Sequence, residues 1–264
     1  MKHPWLLKSL IICGTLLSPF VVAKQIVLFG VFNTDFPPFH YVVDQQHRGL
    51  DADLIREAFS RLPEYEVQYK FLPVRRAILE LEWGSLDMTT GFSSRMREKT
   101  AYIVKTPLHW SFNKVAVLKG MEFNFEGLED LRGIDVAILN GSRLGQEFDQ
   151  AVSKGKIQAH YVDSFEDTVK MLTSGRMPGI IGNYPIIDYY ASKMGFSDAI
   201  TYLPRLVVPP IRYSLLISRK SKLPGLKILH VKLEKALNDM LIDGTYDRIY
   251  RRHGLSFEHF KEDS

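Results

Sequence analysis

Short apolar or alternating runs take turns with segments whose apolar positions recur every three or four residues. This exchange of period two for period 3.6 predicts the strand–helix repeats of an α/β chain with largely parallel sheets. Residues Gln25 to Phe32 read as the first strand, followed by a turn at Asp35-Phe36-Pro37-Pro38-Phe39. From Asp51 to Leu62 the spacing of Leu54, Ile55, Ala58 and Phe59 marks one helical face, with Asp51 and Asp53 at the end where the helix dipole favours anions. Val67 to Phe71 reads as the next strand. Val74, Ala77, Ile78 and Leu81 predict a helix that Gly84 stops, and Leu86 to Gly91 a further strand.

Beyond Arg97 the pattern restarts. Lys114 to Lys119 and Ile134 to Leu139 read as strands, and Arg143 to Val152 as a helix entered through Asn140-Gly141-Ser142. Ser164 followed by Asp167 is a capping-box-like start for a helix that buries Phe165, Val169 and Leu172 and ends at Gly175. Gly179 to Asn183 is a buried strand, Leu226 to Ile242 a long amphipathic helix, and Thr245 to Arg252 a short one after Gly244. Two βαβ-rich halves with no flexible linker predict two lobes that share strands, with a ligand crevice beyond the carboxyl ends of those strands.

The start of the chain changes the picture. Lys2 and Lys8 precede or flank an apolar run from Ser9 to Ala23, with Val21 and Ala23 fitting the small-residue rule before a cleavage point, so residues 1–23 are expected to be an export signal. The run is shorter than the roughly 20 residues that a spanning helix needs. Cys13, the only cysteine, lies inside it and follows the bulky Ile12, which argues against lipidation and leaves an exported chain from Lys24 without a disulfide. Removing Lys2 and Lys8 takes the formal charge from +4 to +2. Basic residues are dispersed apart from Arg251-Arg252, with no stripe of Lys and Arg among aromatics, so no nucleic-acid partner is expected. His40, His47, His109, His160, His230, His253 and His259 show no metal-ligand spacing, and there is no His-Glu-x-x-His, nucleophile elbow, phosphate loop or dinucleotide fingerprint; neither metal nor cofactor is expected.

Six motifs in order then carry a resemblance. They are Phe36-Pro37-Pro38-Phe39; Gly49-Leu50-Asp51-Ala52-Asp53-Leu54; Gly84-Ser85-Leu86-Asp87 with Arg97; Leu128-Glu129-Asp130-Leu131-Arg132-Gly133 with Asn140-Gly141-Ser142; Leu172-Thr173-Ser174-Gly175-Arg176; and the C-terminal Leu237 to Tyr250 with Asp243-Gly244-Thr245. In this order the chain resembles the periplasmic solute-binding proteins of polar amino acid ABC transporters, family 3, over nearly all of its length. The resemblance implies a two-lobed periplasmic-binding-protein-like fold, each lobe a mostly parallel sheet flanked by helices and joined to the other by two hinge strands. It places lobe I at 24–111 plus 209–264 and lobe II at 112–208, and it implies closure of the lobes around a solute.

The same resemblance implies a ligand set. Arg97 would anchor a carboxylate, since a guanidinium offers a planar fork of donors to two oxygens; the plainer alternative is a solvated Arg in the run with Arg95, Glu98 and Lys99, and Arg95 is a substitute anchor. Gly91, Phe92 and Ser93 would stand beside it, or form an ordinary strand end. Gly141 and Ser142, with Arg143, would face an anion at a helix N-terminus, where Ser142 is equally a cap. Phe36 and Phe39 would form an aromatic wall or part of the core, and Trp110 a second wall or a packed hinge residue. Asn183 stands where the family commonly has an aspartate for the ligand's α-ammonium, and Pro178 replaces a neighbouring aspartate, so an organic acid, a peptide-like or a sugar-derived solute gains weight beside an ordinary amino acid. Arg76, in Pro73-Val74-Arg75-Arg76-Ala77, would reach the cleft or lie on the helix surface.

The function expected is therefore non-catalytic: a monomeric periplasmic receptor that binds a small polar, carboxylate-bearing solute and hands it to an ABC permease. The alternatives are a cyclohexadienyl-dehydratase-like or lyase-like enzyme on the same scaffold, and a ligand sensor for a membrane signalling protein.

Overall fold

A computed structural model describes residues 23–142 and 144–257. The expected export segment up to residue 22, with Cys13, lies outside the described residues, as do Arg143 and His259. Among the described residues no helix is long and apolar enough to cross a membrane.

The chain runs β1 (Gln25–Phe32), β2 (Tyr41–Val43), β3 (Gln46–Arg48), α1 (Leu50–Ser60), β4 (Tyr65–Leu72), α2 (Val74–Trp83), β5 (Met88–Phe92), α3 (Arg95–Glu98), β6 (Ala101–Ile103) and β7 (His109–Ser111). It continues β8 (Asn113–Leu118), β9 (Asp135–Leu139), α4 (Gln146–Ser153), β10 (Gln158–Val162), α5 (Phe165–Thr173), β11 (Gly179–Asn183), α6 (Tyr184–Lys193) and β12 (Ile200–Leu206). The last elements are β13 (Ile211–Ser218), α7 (Leu226–Ile242) and α8 (Thr245–Arg252).

Two sheets result. The first has the order β4-β1-β5-β13-β6, with β7 also paired to β13; the second has the order β10-β9-β11-β8-β12. Strands joined through helices pair in parallel, as β1 does with β4 and β5, and β9 with β10 and β11. The strands that run between the sheets are antiparallel to their neighbours. The chain crosses twice, through Phe112 between β7 and β8 and through residues 207–210 between β12 and β13. The crossings lie side by side, because Ser111 pairs with Ile211 and the Val207 N–H donates to the Asn113 carbonyl at 2.8 Å.

Packing explains why these segments settle as they do. In the first lobe α1 turns Leu54, Ile55 and Ala58 inward against Leu229, Leu233 and Leu237 of α7, all fully buried. In the second, Val115, Val117, Val136, Ile138 and Ile181 bury one face of the sheet, while Ala116, Ala137 and Ile180 bury the other under α5 and α6. Near-continuous apolar runs are what a sheet covered on both faces needs.

One junction positions the site. The first N–H groups of α1 have no intrahelical partner, and here Leu50 donates to the Pro38 carbonyl at 3.0 Å and Asp51 to that of Phe39 at 2.9 Å. The Phe36–Phe39 turn and the Gly49–Leu54 motif are thus one physical unit. Gly49 makes the approach possible: its φ is +100°, and a Cβ on it would lie 2.5 Å from the Phe39 carbonyl oxygen. Gly49→Ala is expected to lower the unfolding free energy by about 3 kcal/mol in urea denaturation, since strained backbone and a backbone clash add. A loss under about 1 kcal/mol would mean that the turn can withdraw freely.

Candidate functional site

The carboxyl ends of β1, β5, β9 and β11 converge on a cavity of about 340 Å³ between the sheets, reached by Phe32, Phe92, Leu139 and Asn183. This is the crevice where ligands of open α/β sheets bind. A larger hollow of about 760 Å³ lies on the outer side of the second lobe beside Tyr161, Lys170, Arg176 and Phe196. It is more open and receives the end of a single strand, β10 at Val162, so the smaller cavity, where four strand ends meet, is the candidate site.

Arg97 enters this cavity from α3, whose N-terminus is capped by Ser94: its Oγ accepts from the Arg97 N–H at 3.3 Å. Gly91 lies against the guanidinium: a Cβ there would stand in ordinary contact with Arg97 Cζ at 3.6 Å, and it is Leu216 Cδ1, at 2.8 Å, that leaves no room for a side chain. Arg95 is exposed and does not line the cavity. Arg76 is also outside it: its side chain is 54 % exposed, its Nε donates to Glu80 Oε1 at 2.7 Å, and its guanidinium lies 5.5 Å from the Trp83 ring centre. The cavity residue of that helix is Val74.

A three-ring stack forms the floor. Phe39 and His109 lie 4.0 Å apart between ring centres and His109 and Tyr213 4.6 Å apart, each pair inclined by only 19°. His109 Nδ1 meets Asp51 Oδ1 at 2.8 Å, and Asp51 is 1 % exposed with its Oδ2 lacking any hydrogen bond among the described residues. The backbone leading into β7 is held by α8, where the Tyr246 and Tyr250 hydroxyls donate to the Pro107 and Leu108 carbonyls at 3.0 and 2.8 Å. Burial raises the Tyr213 phenol above its ordinary range, and its hydroxyl pairs with Thr90 Oγ1 at 3.0 Å.

The second lobe offers Asn113, Asn140, Ser142 and Asn183, with Phe165 as an apolar face. None of these carries a charge at neutral pH. Asn183 also serves the hinge: its Oδ1 accepts the Phe112 N–H at 3.0 Å.

Of the candidates named from sequence, Phe36, Phe39, Gly91, Phe92, Arg97, Ser142 and Asn183 are brought together on the cavity wall. Ser93 is not: its Oγ donates to Ser214 Oγ at 3.2 Å and its N–H to the Arg212 carbonyl, because the strand end turns it toward β13. Trp110 does not line the cavity; it borders a small neighbouring pocket of about 30 Å³ with Phe112 and Tyr184, which Phe39 and His109 also reach. The helix after Ser142 begins later than expected, at Gln146 with Gly145 as its N-cap, so Ser142 neither caps it nor stands at its dipole; the Ser142 N–H closes a turn onto the Leu139 carbonyl at 3.1 Å.

Sequence reasoning missed His40, Asp51, His109, Ser111, Asn113 and Tyr213, all on the wall. His40 Nε2–H donates to the Phe32 carbonyl at 2.7 Å, and burial lowers the imidazole's pKa. The one available signal was the position of Asp51 beside Gly49 and Leu50 in a motif already singled out.

Comparison with known proteins follows the same lines. The probable amino-acid-binding protein YxeM of Bacillus subtilis is 25 % identical over 228 residues, spanning 86 % of this chain and 81 % of that protein. The L-cystine-binding protein TcyK of the same organism is 22 % identical over 222 residues, spanning 82 % and 79 %. The crystal structure of the probable amino-acid ABC transporter extracellular-binding protein ytmK from Bacillus subtilis superposes with a TM-score of 0.71 at 21 % identity, covering 87 % of this chain and 97 % of that one. Residues 29–256 match the sequence profile of one family from end to end of the two-lobed fold, and the chain belongs to the bacterial extracellular solute-binding proteins, family 3.

Proposed function

We propose that this protein is exported to the periplasm by its first 23 residues, traps a small carboxylate-bearing solute between its lobes and delivers it to an ABC-type membrane transporter. The observation that carries this reading is Arg97 in the cavity, backed by Gly91, opposite a wall of neutral amides and a hydroxyl. A carboxylate paired with a guanidinium away from bulk water gains two charge-assisted hydrogen bonds. Contacts from both lobes to one solute favour the closed arrangement, a shift in population between open and closed forms. The amino-acid and cystine binding named for the two Bacillus relatives supports a solute of this size and polarity.

The test is a thermal-shift and calorimetric screen of protein recovered from the periplasm against amino acids, organic acids, short peptides and amino sugars, since a ligand of the native state raises the unfolding midpoint by mass action. A carboxylate-bearing hit that is recovered unchanged supports the receptor, and its N-terminus should read Lys24. A hit that is consumed supports the enzyme instead, and a hit only in the presence of a membrane kinase or cyclase supports a sensor.

Asn183→Asp probes the second wall. The new carboxylate keeps an acceptor for the Phe112 N–H, so the fold is expected to persist, while charge is added across from Arg97. Affinity for acids lacking an ammonium is expected to fall by about tenfold and that for α-amino acids to rise, because like charges repel and opposite ones attract in a desolvated site. Equal shifts for both classes in calorimetry would mean that this wall does not meet the solute.

A further inference from the structure

The second wall lacks a charged acceptor among the described residues, yet the first lobe holds a carboxylate–imidazole pair, Asp51 and His109, that the carboxylate site does not use. We propose that His109 is a ligand-contacting residue whose Nε2 accepts a hydrogen bond from an N–H or O–H group of the solute, with Asp51 as the residue that positions it. This rests on the reading that the solute's carboxylate sits at Arg97.

Three observations support it. Asp51 Oδ1 engages Nδ1 at 2.8 Å, which in the neutral ring puts the proton on Nδ1 and leaves the Nε2 lone pair as the acceptor. The ring is clamped between Phe39 and Tyr213, so it is held in orientation from both faces as well as from its edge. Nε2 has no hydrogen bond among the described residues and, unlike the sealed indole nitrogen of Trp110, is not buried without a partner, while His109 lines both the cavity and the small pocket beside it.

Two neighbouring acceptors are less suited. Asn183 Oδ1 already takes the Phe112 N–H, and Asp51 Oδ2 is sealed from solvent. Register supplies the spacing: Tyr213 of β13 lies opposite Phe92 of β5 on one side and His109 of β7 on the other. Two strand spacings therefore separate the Gly91–Phe92 edge from His109, about 10 Å. Arg97 and His109 line the same cavity of about 340 Å³, so a carboxylate and a donor group carried by one small molecule can meet both.

The solute class is thus a carboxylic acid bearing an amine or hydroxyl, and the experiment separates these two sources of the donor. Calorimetry would compare matched triplets: L-amino acids, their 2-hydroxy acids and their unsubstituted acids, together with 4-aminobutyrate, 4-hydroxybutyrate and butyrate. At least one donor-bearing acid is expected to bind about tenfold more tightly than its unsubstituted match. His109→Phe, which preserves the stack, is expected to erase that preference by weakening the donor-bearing acid alone. A merely structural His109 would weaken every acid alike, and that result overturns the proposal, as does a preference that His109→Phe leaves intact. Should the Phe variant fail to fold, Asp51→Asn carries the test: its amide can bond either ring tautomer, and the preference is expected to fall about threefold. Unsubstituted acids that bind as tightly as their matches overturn the role of His109 but leave the carboxylate at Arg97 standing. Binding of no acid overturns both.

Discussion

Arg97→Ala is expected to weaken binding of the solute by at least about a hundredfold in calorimetry. Removing one partner of a desolvated, charge-assisted pair costs about 2–5 kcal/mol, and a hundredfold corresponds to about 2.7 kcal/mol. The main effect should be on binding: Arg97 lies at the cavity edge in the four-residue α3, none of whose residues is buried, so the unliganded protein should keep its cooperative unfolding. Arg95→Ala is the matched control, since that side chain is exposed and off the cavity wall, and it is expected to bind as the wild type does. If the two variants change places, the anchor is Arg95, and the short segment after Gly91 has been read in the wrong register.

The second large effect is on stability in acid. His47, in β3, lies edge-on to His40 at 4.8 Å and to Tyr69 at 5.9 Å, with neither ring nitrogen hydrogen-bonded among the described residues. Burial, followed by the neighbouring His40 and Arg56, pushes its pKa down to about 3. In the unfolded chain the imidazole takes up its proton near its ordinary value of about 6.5. Between those two values the unfolded state binds more protons, so stability is lost as pH falls through the unfolded value and the loss continues to about 3. From pH 7 to about 4.5 this amounts to about 2–3 kcal/mol, and His40, lowered by burial, adds in the same direction. His47→Phe keeps a ring against its neighbours and removes two unsatisfied nitrogens, so at pH 7 it should cost little. Its thermal midpoint is expected to fall less steeply with acid than that of the wild type; parallel curves would show that His47 already finds a proton partner in the folded protein.

Local signals made much of the fold legible. The strand at Gln25–Phe32 and the helix at Leu226–Ile242 carry their periods plainly. Gly84 ends α2 because φ of +81° suits a residue without Cβ, and Ser164 starts α5 because its Oγ accepts the Asp167 N–H at 3.0 Å. The β2–β3 hairpin escaped because its two-residue turn is Asp44-Gln45, both at positive φ, in place of the Asn-Gly or Asp-Gly pair that announces such a turn. The start of α4 was misplaced because Gly141 and Gly145 both stand at positive φ and buried Leu144 lies between them, a choice that packing makes.

In the site, the parts carried by motif were visible: a glycine, an arginine six residues on, an asparagine at a strand end. The Asp51–His109–Tyr213 arrangement was not, because those residues lie 58 and 104 positions apart: the register of β13 with β7 sets Tyr213 beside His109, and the start of α1 brings Asp51 to the imidazole. Histidine spacing along the chain held no trace of it.

Calorimetry of carboxylate solutes against their own primary amides tests the carboxylate anchor most directly. The acid of at least one pair is expected to bind at least about a hundredfold more tightly than its amide, and Arg97→Ala is expected to erase the difference. An amide that binds as well as its acid, or an acid whose advantage survives in Arg97→Ala, would contradict the assignment of the cavity as a carboxylate receptor.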